Sequence, residues 1–120
     1  MKIAISARGA DLEAQVEPRF GRAPYFLIVD VQTMEFEAVP NLPSRQAPQG
    51  AGIQAAALVA RHRPAAVLTG HCGPKAFQTL QAAGIRVILG VEGTVRHIVE
   101  NYRMGKLKPA SSANVASHWR

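Results

Sequence analysis

The sequence predicts an α/β domain built on an open, mixed five-stranded sheet in the order 3-2-1-4-5, with strand 2 antiparallel and three main helices. Three observations predict it. The first forty residues hold three strand-like runs, the second and third close enough to form a hairpin. Beyond about residue 50, helical and strand-like patterns alternate, which calls for crossover connections and parallel strands. The run "AAVLTG" (65–70) is apolar almost to its end, as a strand covered on both faces must be.

Taken in order, "KIAISA" (2–7) is a short strand and residues 8–22 form a polar loop. "YFLIVDVQ" (25–32) is aromatic and β-branched, a central strand. "EFEAV" (35–39) alternates polar and apolar and closes the hairpin after two residues. "PNLPSRQAPQGAG" (40–52), with three prolines and two glycines, is a loop long enough to be functional. Ile53, Ala56, Ala57 and Ala60 fall at helical spacing in a first helix that ends near His62 and Pro64. After "AAVLTG", Pro74 suits the first position of a second helix, with Phe77 and Leu80 on its apolar face and Gly84 at its end. "IRVIL" (85–89) is the fifth strand. Val95, Ile98, Val99 and Tyr102 then mark a third helix, which follows Gly93 and Thr94 and stops at Gly105. Residues 1–107 are expected as one domain and 108–120 as a flexible basic tail.

Composition narrows the function classes. A chain of 120 residues, 48% hydrophobic, can bury one real core and is not disordered. No apolar run approaches the roughly 18 to 20 residues that span a bilayer. Arg8 and Asp11 interrupt the N-terminal run before a signal-peptide core could form, so a cytoplasmic protein away from membranes is expected. The single cysteine excludes an internal disulfide and a self-contained thiolate cage. The net charge is +6, and residues 61–120 carry nine Lys or Arg against two Glu, a bias that attracts anions. Nucleic acid is disfavoured, because the few aromatics are not interleaved with the basic residues.

The predicted order sets strand 1 beside strand 4 with the chain leaving them in opposite directions, the switch point where open α/β sheets bind ligands. Three loops should meet there: 8–22, 50–52 and 70–74. The last holds "HC", and Cys72 invites comparison with the cysteine phosphatase loop. That loop needs glycine three residues and arginine six residues past the cysteine, where this chain has Lys75 and Gln78, and Pro74 removes an N–H from the cradle. As metal ligands, His71 and Cys72 are adjacent and seldom complete a shell alone, while His62, His97 and His118 stand at no ligand-like spacing. Firm direct metal ligands are therefore not expected. Nor do the N-terminal strands supply the carboxylates of a metal-dependent nuclease. Anion binding fits better. Gly70 and Gly73 permit close backbone approach, and Pro74 opens a helix whose N-terminus carries partial positive charge. Gly50 and Gly52 precede another helix, Gly93 and Thr94 a third, and Arg8, Arg19 and Arg22 lie in the first loop.

Four stretches, "PRFGRAPYFLIVD" (18–30), "GAGIQAA" (50–56), "TGHCGPKAFQTLQAAGI" (69–85) and "YRMGKL" (102–107), stand in an order that resembles the dinitrogenase iron-molybdenum cofactor biosynthesis family over nearly the whole chain. The resemblance implies a ribonuclease-H-like fold without nuclease activity, in proteins that bind or carry metal-sulfur clusters or their precursors. For a short single-domain member of this type it implies a molybdenum-copper-sulfide cluster, polyanionic and held non-covalently by a non-enzymatic carrier or scaffold. On that reading Arg8, Arg19 and Arg22 supply charge, Phe20 and Pro74 apolar contact, and Gly21, Gly50, Gly52, Gly70 and Gly73 the close backbone. His71 and Cys72 would be weak donors to cluster sulfides. Many relatives have histidine before the "FG" of the first stretch, where this chain has Arg19, which favours charge pairing there over direct ligation. An ATPase of the division-site-positioning type is implied as a partner. Two other readings stay open: a regulatory domain docking an acidic protein, and a thiol- or phosphate-directed enzyme using Cys72.

Overall fold

The residues of "KIAISA" alternate across a strand, and both faces are apolar, so the strand they form, β1 (Lys2–Ala7), takes the centre of a sheet. The computed structural model describes residues 1–41 and 50–114; most of the proline-rich loop, and His118 with the rest of the C-terminal end, lie outside the described residues. The other strands are β2 (Tyr25–Asp30), β3 (Phe36–Pro40), β4 (Ala66–Leu68) and β5 (Arg86–Ile88), and the helices are α1 (Ala51–Arg61), α2 (Pro74–Ala82) and α3 (Val95–Arg103). The sheet order is β3-β2-β1-β4-β5, with β2 antiparallel to both its neighbours and β1, β4 and β5 mutually parallel. Both order and direction are those the sequence predicts.

Alternation along the strands splits the core in two. Ala4, Phe26, Ile28, Val67 and Val87 share one face and pack under α1 and α2 through Ala55, Ala56, Val59, Phe77 and Leu80. Ile3, Ile5, Leu27, Val29, Leu68 and Ile88 share the other, under α3 and the loop residues Leu12 and Val16. The central strands β1, β2 and β4 are thus buried on both sides, which is why they read as largely apolar runs, while the edge strand β3 alternates and is mostly exposed.

Two local expectations give way. The hairpin turn is longer than two residues, because Asp30 ends β2 by accepting the N–H groups of Gln32 (2.9 Å) and Thr33 (3.3 Å) on its carboxylate. The turn then closes through Met34 at φ 65°. The buried face of α1 is Ala51, Ala55, Ala56 and Val59, so Ile53 and Ala57 point outward. Small residues on that face let the helix lie close to α2: a Cβ on Gly52 would sit 3.4 Å from that of Ala76.

Candidate functional site

β1 and β4 are parallel neighbours, so their C-terminal ends lie at one edge of the sheet, together with the N-termini of α1, α2 and α3. The three predicted loops meet there. A Cβ on Gly70 would fall 2.8 Å from both Cα and O of Pro18, so only glycine lets the loop after β4 lie against the loop after β1. His71 N–H donates to Pro18 O (2.6 Å) and Phe20 N–H to His71 O (3.2 Å), closing the two loops like a short parallel ladder. A Cβ on Gly21 would fall 2.8 Å from Gly52 N, so the turn Phe20–Arg22 sits just as tightly on the start of α1. Beneath them, Ser6 Oγ hydrogen-bonds Glu17 O (2.8 Å) and Thr69 Oγ1 (2.7 Å), with Ser6 and Thr69 fully buried.

The cations form a group around one carboxylate. Arg8 Nε lies 3.7 Å and Arg19 Nε 3.9 Å from opposite oxygens of Glu17, whose side chain is 14% exposed. Arg19 N–H also donates to Glu17 Oε2 (3.1 Å). Two guanidiniums share one anion, which leaves a net positive charge at the mouth of the loops. Arg22, half-buried, closes the Phe20–Arg22 turn.

Three of the predicted site features are placed differently. Phe20 is 2% exposed and packs on Phe26, with ring centroids 5.0 Å apart, so its ring fills the core and offers no wall to a ligand. Cys72 is equally buried, in the cluster under α1 and α2, and its thiol donates to Gly73 O at 3.6 Å. Burial pushes its pKa up to about 12, which keeps it protonated and unsuited to nucleophilic attack. The N-terminus of α3 is not open to an anion: Val95 N–H and Arg96 N–H donate to Ala14 O and Leu12 O, and His97 N–H to Thr94 Oγ1. That leaves α1, which starts at the exposed Gly50 in a left-handed conformation (φ 74°), and α2, which starts at Gly73 and the half-buried Pro74. A Cβ on Gly50 or Gly73 would meet nothing within 4 Å. Gly50 and Gly73 themselves thus have open space beside them among the described residues, while the next residues of α1, Ala51 and Gly52, lie under the Phe20–Arg22 turn.

Sequence reasoning missed three residues here. Ser6 and Thr69 carry a signal, as hydroxyls in otherwise apolar strands. Asn114 carries none. It comes from the segment expected as a tail, yet its Oδ1 accepts Cys72 N–H (2.9 Å) and its Nδ2 donates to Gly70 O (3.1 Å), with His71 Nδ1 3.3 Å away. Among the described residues no three His, Cys, Asp or Glu side chains gather as a metal site, and no helix is long and apolar enough to cross a membrane.

The fold and this loop end define a class: an open α/β domain whose loops after β1 and β4 are glycine-tight and carry arginines, with no cluster of three His, Cys, Asp or Glu side chains among the described residues. The model of the dinitrogenase iron-molybdenum cofactor family matches residues 1–105, and the chain belongs to that family. It is similar to the orange protein of Desulfovibrio gigas, known in its apo form, with 45% identity, coverage of 95% of this chain and 96% of that one, and a TM-score of 0.92. It is also similar to a NifB-like protein from Thermotoga, at 29% identity over 95% and 97% of the two chains with a TM-score of 0.80. An uncharacterized protein of Methanocaldococcus jannaschii is 28% identical over 78% of this chain and 81% of its own length.

Proposed function

We propose that this protein is a non-enzymatic carrier or scaffold that holds an anionic molybdenum-copper-sulfide cluster without covalent bonds, at the loops after β1 and β4. The observation that carries the reading is the pairing of an arginine group and the open glycine caps of two helices with a buried cysteine. A cluster whose metals are already satisfied by sulfide asks a protein for cations, N–H donors and a shaped surface, and it asks for no thiolate. Arg8 and Arg19 supply exposed positive charge, and the first turns of α1 and α2 supply oriented amide dipoles. Pro74, half-buried at the start of α2, takes the apolar role that Phe20 does not fill. Family membership and the likeness to the orange protein support the same cargo class. A division-site-positioning ATPase is the partner class we attach to this reading.

The test is reconstitution. Apo-protein mixed with tetrathiomolybdate and a copper salt is expected to gain visible absorption that co-elutes with it. Cys72→Ser, checked for retained fold, is expected to keep most of the colour. Colour lost in a folded Cys72→Ser protein overturns the non-covalent mode. A colourless wild type that instead captures an acidic protein partner replaces the carrier reading with the docking one.

A further inference from the structure

Residues 108–114 do not hang free of the domain. Ala110 N–H donates to Val87 O (2.7 Å), which pins the segment to the outer edge of β5, and Ala110 and Ala113 pack against the core under α1 and α2. Four residues beyond Ala110, the Asn114 carboxamide reaches the loop after β4 and meets it with both ends, accepting from Cys72 N–H and donating to Gly70 O. A carboxamide oxygen on a loop amide, one residue before the glycine that caps α2, stands where an anion would take the same N–H. His71 N–H is spent on Pro18 O, so Cys72 N–H is the loop donor whose partner can be exchanged without parting the two loops.

We propose that the segment 108–114 is a strap that competes with the ligand, with Asn114 occupying the Cys72 amide in the empty protein and leaving it when an anionic cluster binds. This rests on the carrier reading and adds a gate to it. Among the described residues the strap is tied by the Ala110 N–H and the Asn114 carboxamide, and Asn114 itself is exposed, so that hold is one a ligand of several charges can displace. Closed, it also satisfies a polar loop that an empty site would leave to water. Binding to a site that is open for only part of the time is weakened in proportion to that fraction.

The experiment titrates full-length wild type, Asn114→Ala and Ala110→Pro with tetrathiomolybdate and copper, and follows amide exchange by NMR with and without the cluster. Ala110→Pro removes the N–H that anchors the strap to Val87, at a distance from the loop. Both variants are expected to load ~3- to 10-fold more tightly than wild type. In wild type, the Ala110 amide is expected to lose protection on loading. Equal or weaker loading by Asn114→Ala, with colour in wild type, overturns the gate and leaves the carrier reading standing. Tighter loading confined to Asn114→Ala, or an Ala110 amide still protected in the loaded protein, overturns the strap as the moving part. No colour in any of the three overturns the carrier reading and the gate together. Colour in the variants alone supports both.

Discussion

At Cys72, burial decides the chemistry that neighbouring residues in the sequence only advertise. The thiol sits beside a histidine in a glycine-proline turn, yet the backbone directs it inward, where burial strips its charged form of solvent. The sign of the resulting pH effect can be worked out. Folding raises this pKa from 9.0 to about 12, so the folded state keeps a proton that the unfolded state gives up. The thiol's contribution to stability is complete below pH 9 and is lost as pH rises toward 12, at a slope of at most about 1.4 kcal/mol per pH unit. Cys72→Ala has no such slope. It is expected to be about 1 kcal/mol less stable than wild type at neutral pH, with the gap closing at about pH 10 and reversing beyond it. Urea unfolding at stepped pH measures the difference, and a gap that stays constant to pH 11 means the thiol is not buried as described.

Among the elements, the loops after β1 and β4 depend on glycine for contact, and the dependence differs from site to site. Gly70→Ala would drive a Cβ to 2.8 Å from the Pro18 backbone, which cannot yield as a flexible side chain can. A loss of about 1 to 3 kcal/mol is expected. Gly73→Ala places its Cβ in open space at φ −73° and is expected to change stability by less than about 1 kcal/mol. Urea unfolding of the two variants compares them, and equal losses would show that the loops do not rely on that approach. Much of this level was legible in the sequence. Strand order followed from apolar runs and from the change to alternating helix and strand, because burial on both faces leaves a plain signal. The hairpin length was not legible, since a side-chain bond from Asp30 displaces the strand ladder by a few residues. The buried face of α1 was misjudged because alanines surround the helix and small side chains give its period little contrast. The plugged start of α3 and the seat of Asn114 depend on contacts far apart in the chain, which no local pattern encodes.

For the molecule as a whole, charge is the property that links its sequence to the proposed site. The net charge is +6, and the C-terminal half carries the excess, but the arginines nearest the loops come from the N-terminal half and are tempered by Glu17. If those guanidiniums hold a polyanion, Glu17 weakens loading and salt weakens it further. Glu17→Gln keeps an oxygen to accept Arg19 N–H while removing the charge shared by Arg8 and Arg19. At low salt it is expected to tighten loading of the tetrathiomolybdate-copper cluster about 2- to 5-fold, the range set by exposed ion pairs. Raising NaCl from roughly 0.05 to 0.5 M shortens the screening length to a few ångströms and should weaken wild-type loading about 10-fold. Over the same range the advantage of Glu17→Gln should shrink, because salt screens both the ligand's attraction to the arginines and Glu17's opposition to it. Titrations of both proteins across that series decide the matter. Loading that ignores salt, in a variant that loads no better than wild type, would mean that the cluster is held by shape and apolar contact, with the arginines serving only to anchor Glu17 and the loop.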